Sequence, residues 1–178
     1  MRSFATVAAA AALVSTAAAA PFGWGDWAAP NPATCMSNAT VQYLVAGFGS
    51  LLSDYNTDVA NTILADDLVD WSDSINSLIG APVGNPTFPT KAAFEAGQGA
   101  QPAVPFEVLA IEAYTCDTIA FRWLVPLPPN PIKGITILKT ENSAGQADTW
   151  QIKTIFTEFN SIAWLEDIGG SVTYPKTS

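Results

Sequence analysis

The chain has 178 residues, with 7 Lys and Arg against 16 Asp and Glu, for a net charge of −9. That acidity repels phosphate backbones and anionic lipid, so nucleic acid and membrane surfaces are excluded as expected partners. Histidine is absent, which excludes Ser-His-Asp and Cys-His catalysis, His-ligated metals and the commonest general base near neutral pH.

Residues 1–20 read as an export signal. Arg2 supplies the positive end, Ala5 to Val14 the apolar stretch, and Ala18-Ala19-Ala20 before Pro21 a small-residue cleavage site. A membrane anchor is the alternative, but the uncharged stretch from Phe4 to Ala20 is mostly alanine and short for a span. Cleavage leaves 158 residues with a net charge of −10, enough for one domain with a real core. The expected location is extracellular.

Residues 21–34, rich in Pro, Gly, Ala and Trp, read as an extended arm whose Trp24 and Trp27 pack onto the body. The only cysteines are Cys35 and Cys116. An even pair in an oxidising compartment reads as a disulfide, with a catalytic thiolate as the alternative. Asn38-Ala39-Thr40 is an N-glycosylation sequon, so Asn38 is a candidate acceptor.

The spacing of Val41, Leu44, Val45, Phe48, Leu51 and Leu52 predicts a helix over 38–52. A second, shorter helix runs through Val59, Ile63 and Leu64, with Asp58 as its cap. Residues 67–73 read as a strand, 74–79 as one helical turn before Gly80, and 91–96 as a short helix capped by Thr90. Residues 82–89 and 97–105 read as loops, the second either lid-like or a plain connector. The second half reads as strands over 106–115, 118–125, 132–140 and 148–159. Helices followed by an antiparallel meander give an α+β domain, over residues 35–170, with 171–178 as a tail.

With no CxxC pair, P-loop or GxGxxG motif, neither a metal nor a cofactor is expected. Carboxylates are the remaining chemistry. Alternation along 67–73 puts Val69, Trp71 and Asp73 on one face and Leu68, Asp70 and Ser72 on the other. If the apolar pair faces inward, Asp73 lies against Trp71, and burial raises its pKa toward general acid–base use. The alternative is that Asp73 caps the turn after it. Glu158 and Asn160 share a face with Trp150, Ile152 and Phe156 if the alternation continues past residue 159 to Ile162 and Trp164. A polar pair there needs partners or a pocket. Arg122 reads as a solvated strand residue, or as an ion-pair partner across the sheet.

Three blocks resemble one known group. They are LADDLVDWSDSINSL at Leu64–Leu78, the Cys35 and Cys116 pair, and TEFNSIAWLEDIG at Thr157–Gly169. Over Cys35–Gly169 the chain resembles the nuclear transport factor 2-like superfamily, and within it the small secreted fungal proteins. The resemblance implies a cone, or cystatin-like roll: a curved antiparallel sheet packed on helices, with an apolar pocket at its open end. It also implies a possible homodimer through the sheet. Steroid isomerases of the group carry an acidic base where this chain has Ser72, one residue before Asp73. They carry an oxyanion-hole tyrosine near the position of Phe48, which cannot donate. The scytalone-dehydratase histidines are missing. The Asp-Arg-Asp set of the epoxide hydrolases could be imitated only by Arg122 with Asp73 or Glu158.

The expected function is noncatalytic binding of a small apolar ligand, or a role in host or environment contact. Phe48, Trp71, Asp73, Glu158 and Asn160 are the candidate ligand contacts. The alternative is a carboxylate-dependent isomerase, cyclase, dehydratase or hydrolase using Asp73 or Glu158. A second alternative is a dimeric structural protein built on its sheet face.

Overall fold

A computed structural model describes residues 31–175. The expected export signal and most of the arm, Trp24 and Trp27 included, lie outside the described residues. Two helices come first, α1 at Asn38–Ser53 and α2 at Thr57–Ile63, followed by strand β1 at Leu64–Trp71. Helices α3 at Asp73–Ile79 and α4 at Lys91–Ala100 lead into strands β2 at Glu107–Tyr114, β3 at Thr118–Val125, β4 at Ile132–Glu141 and β5 at Gln151–Phe159. A last helix, α5, covers Ser161–Asp167.

The five strands form one sheet in the order β1-β5-β4-β3-β2. Short turns let β2 to β5 pair antiparallel in sequence, whereas β1 pairs with β5 in parallel, which the intervening half of the chain permits.

Alternation decides which face is buried. Ile119, Phe121, Trp123 and Val125 of β3, Ile132 and Leu138 of β4, and Ile152 and Ile155 of β5 all point inward. Against them lies the stripe Val41, Leu44, Val45, Phe48 and Leu51 of α1, at the expected helical spacing. Each such side chain contributes about 1.5–3 kcal/mol on full burial. Gly47 lets α1 approach α2: a Cβ there would lie 2.8 Å from Cδ1 of Ile63. Cys35 and Cys116 form a disulfide across 81 residues, tying the chain before α1 to the β2–β3 turn.

Several elements differ from the sequence reading. Strand β1 starts at Leu64, and its pairing with β5 breaks register between Leu64 and Val69. This leaves Asp66 and Asp67 exposed within the strand. Asn56, not Asp58, caps α2, its side chain accepting from the amides of Asp58 and Val59. Helix α4 runs on through Gly97 to Ala100. The alternation expected to continue past residue 159 gives way to α5, because Asn160 accepts from the Ala163 amide and caps a helix there.

Candidate functional site

Strand β1 is turned opposite to the expectation. Leu68, Asp70 and Ser72 are buried, while Val69 and Trp71 are half-buried and Asp73 is exposed. Trp71 lies beside Phe156 on the outer sheet face, so it shares no inner cavity with Phe48. The inner face of an edge strand must bury against the core. Leu68, fully buried in the core, decides the orientation more strongly than the half-buried indole does.

Asp73 is no cap for α3. Ser72 takes that place, accepting from the Ile75 amide, while Asp73 Oδ1 accepts from the Gly84 amide at 2.6 Å. Glu158 of β5 completes the start of α3 from outside. Its two oxygens accept from the amides of Asp73 and Ser74, each at 2.9 Å, and from the Ser74 hydroxyl. A carboxylate on free helix amides is a charge-assisted bond. Both of its oxygens are therefore engaged in joining α3 to β5. Asn160 is likewise engaged in capping α5.

The acid that sequence reasoning passed over is Asp70. It is 3% exposed, and its Oδ1 has no hydrogen-bond partner. Burial raises its pKa to about 7; the Trp71 amide opposes the rise, and the Glu158 charge adds to it. Its strand neighbour on the inner face is Ile155. Farther along that face a polar chain crosses the sheet. Trp123 Nε1 donates to Thr136 Oγ1, and the Thr136 and Thr157 hydroxyls share a bond, both at 2.9 Å.

Aromatic rings fill much of the interior. Phe48 meets Phe121 and Phe106 edge-on, with centroids 5.7 and 6.1 Å apart. Phe106 leads to Trp123 at 5.2 Å, Trp123 to Phe159 at 5.8 Å, and Phe159 to Trp164 at 5.2 Å. Phe48, Phe121 and Trp123 are buried, while Phe106, Phe159 and Trp164 are only partly so. Gly134, between Trp123 and Phe159 in the pairing, has no side chain, which makes room for the Trp123 indole.

At this point an open groove of about 410 Å³ is lined by Leu109, Ile135, Arg122, Lys133 and Glu158 together with Trp123, Gly134 and Phe159. Arg122 pairs with Glu112 of β2 at 2.5 Å and is still half exposed, so it is a solvated strand residue and an ion-pair partner across the sheet at once. Beside the groove runs an apolar row. Trp71, Phe156, Ile137, Ala120 and Ala113 are successive partners across all five strands. Phe156 and Ile137 are 41% and 38% exposed. Among the described residues no cluster of three or more His, Cys, Asp or Glu side chains could hold a metal ion, and no helix is long and apolar enough to cross a membrane. Asn38 is exposed in the first turn of α1.

A family model described as an NTF2-like domain matches residues 34–171. The chain belongs to the NTF2-like family. Solved structures of the same fold include IdmH, a proposed polyketide cyclase from Streptomyces antibioticus. It is 15% identical, with a TM-score of 0.53 over 72% of this chain and 98% of that one. A protein with a ketosteroid isomerase-like fold from Catenulispora acidiphila, in complex with trimethylamine, is 12% identical, with a TM-score of 0.53 over 72% and 93%. A proposed ketosteroid isomerase from Kribbella flavida is 11% identical, with a TM-score of 0.51 over 78% and 83%. At such identities the likeness is one of fold. No curated protein matches this chain's sequence.

Proposed function

We propose that this NTF2-like protein is exported and binds a small apolar ligand without catalysis, as a secreted protein of the fungal kind it resembles. The groove on the outer sheet face carries the reading. Its volume lies within the range of small-molecule sites. Leu109 and Ile135 offer apolar walls, and partly buried Phe159 continues them into the aromatic series. Ile135 is 53% exposed, an isoleucine that folding alone leaves uncovered. The export-signal pattern of residues 1–20 and the disulfide support the extracellular setting, and the exposed Asn38 would be its glycan site.

The test is a fluorescence titration of the disulfide-bonded protein with Nile red, an uncharged apolar probe. One saturable site is expected, weakened about tenfold by Ile135→Gln, which removes apolar wall at a position the core does not need. No saturable binding, or binding untouched by Ile135→Gln and by Leu109→Gln, overturns the assignment.

Two other readings each have a specific observation in their favour. Asp70 favours a carboxylate-dependent enzyme, because a buried carboxyl with a pKa near 7 is suited to proton transfer. It is a better candidate than Glu158, both of whose oxygens are bound to backbone amides, or Asp73, which is exposed with one oxygen on the Gly84 amide. Turnover on a panel of steroid, polyketide and epoxide substrates, lost in Asp70→Asn, would establish it. The five-strand apolar row favours a homodimer joined through its sheets. A doubled mass in sedimentation, returned to that of one chain by Phe156→Arg, would establish that.

A further inference from the structure

We propose that the segment from Thr87 to Ala100, helix α4 included, is a pH-responsive flap on β1, held shut while the Asp70 carboxyl is neutral and loosened when it ionises.

The geometry begins with how the segment is attached. Strand β1 is an edge of the sheet, with β5 on one side. On its other side residues 87–88 take the place of a strand. The Asp70 amide donates to Phe88 O at 2.9 Å, and the amides of Thr87 and Phe88 donate back to Asp70 O at 2.8 and 3.2 Å. The Phe88 ring packs edge-on against Phe94 of α4, centroids 5.7 Å apart. It also fills the space over Gly97, where a Cβ would lie 2.5 Å from Cε1 of Phe88. Residues 87–88 and α4 therefore form one packed unit. Among the elements, β1 is the main support for α4. On either side of that unit are proline-containing connections, 80–86 and 101–105.

Asp70 lies where this cover meets the sheet, buried, with one carboxyl oxygen unpartnered. An ionised carboxylate without a partner is costly in such a place. The charged groups on the elements around it do not relieve that cost. On β5, Glu158 is of like sign and acts on Asp70 unfavourably. Lys153, also on β5, is held by Asp67 and Glu141. On α4, Lys91 bonds to Leu64 O and reaches Asp66, and Glu95 is another acid, with one buried oxygen lacking a partner. Asp73 of α3 is bound to the Gly84 amide, and Asp58 lies in the first turn of α2. Among the described residues no cation is available to Asp70, so water is the remaining partner. The five-strand pairing resists opening far more than a two-residue bridge, the two bonds between Thr87 Oγ1 and the Ser72 backbone, and one packed helix. Water therefore gains access to Asp70 by lifting the cover.

The size of the effect follows from linkage. With a carboxyl pKa of about 7 under the closed cover and 3.8 when solvated, raising the pH from 5.5 to 8.5 multiplies the opening equilibrium about thirtyfold. Hydrogen–deuterium exchange by mass spectrometry, corrected for intrinsic rates, reads this on the disulfide-bonded protein. Amides of residues 87–100 should lose about thirtyfold protection over that pH range and stay far less protected than those of β3 and β4 at both ends of it. The loss should follow pH with a midpoint near 7, and Asp70→Asn should abolish it. Equal protection of residues 87–100 at both pH values would overturn the proposal. So would an undiminished pH response in Asp70→Asn, or protection of residues 87–100 as high as that of β3 and β4, which would mean that the segment opens only with global unfolding. If Asp70→Asn does not fold, the wild-type midpoint and the contrast between α4 and the inner strands still decide.

Discussion

Replacing Gly134 by alanine tests the packing of the aromatic series. The new Cβ would overlap Cζ2 of Trp123, and would lie 2.5 Å from Cε2 and 2.7 Å from Cη2 of the same ring. This ring cannot step aside cheaply. It is buried, packs against Phe106 and Phe159, and donates its Nε1 hydrogen to Thr136. Overpacking of this kind costs about 1–3 kcal/mol. Pulling the indole from Thr136 leaves a buried donor and the Thr136–Thr157 pair disturbed, for about another 1–3 kcal/mol. Alanine's lower backbone entropy in the unfolded chain returns about 0.5–1 kcal/mol. A net loss of about 2–5 kcal/mol is expected in urea unfolding at pH 6, with a changed near-ultraviolet circular dichroism signal from the displaced indole. Trp123→Phe in the same background should recover part of it, because the smaller ring leaves room for the methyl group. If Gly134→Ala were as stable as wild type to within 0.5 kcal/mol, the placement of the Trp123 indole across Gly134 would be wrong.

Three further outcomes follow from individual contacts. Glu158→Gln weakens the charge-assisted bonds to the amides of Asp73 and Ser74, and should cost about 1–2 kcal/mol in urea unfolding at pH 7; an unchanged midpoint would mean that the join between α3 and β5 adds nothing. Removing the disulfide by Cys35→Ser frees an 81-residue span and should cost about 2–5 kcal/mol, which thermal unfolding measures and an unchanged Tm would contradict. Asp70 binds its proton more tightly in the fold, so its contribution to stability is full below about pH 4 and is lost as pH rises through about 7. That loss amounts to about 4 kcal/mol for a shift of about three pH units, so Asp70→Asn should gain on wild type by about that much between pH 4 and pH 8; parallel curves would refute the burial of this carboxyl as an acid.

The fold was legible where periodicity and burial agree. Helix α1 follows from the spacing of Val41, Leu44, Val45 and Phe48, and β3 from alternating Ile119, Phe121, Trp123 and Val125. The face of β1 was not legible, because both faces of its sheet carry apolar residues. Val69 and Trp71 join Phe156 and Ile137 on the outer side, so hydrophobicity alone cannot tell inside from outside. Asp70 was missed for the same reason: a lone aspartate between apolar residues marks the solvent side unless the tertiary structure covers it. The parallel pairing of β1 with β5 joins segments far apart in sequence, beyond the reach of local pattern. Helix α5 did leave a signal, Asn160 before Ser161 as a start and Gly169-Gly170 as a stop. The alternating run of β5 concealed it. Glu158 was rightly singled out as an acid in need of partners, and those partners are backbone amides of α3 rather than a substrate.

Native mass spectrometry of the protein, purified from the medium of an exporting host with its disulfide intact, tests ligand binding most directly. The expected spectrum shows one chain carrying one small apolar molecule, extractable into organic solvent and absent from the Ile135→Gln variant. A bare chain, with nothing bound and no mass shift after incubation with apolar compounds, would contradict the ligand-binding account.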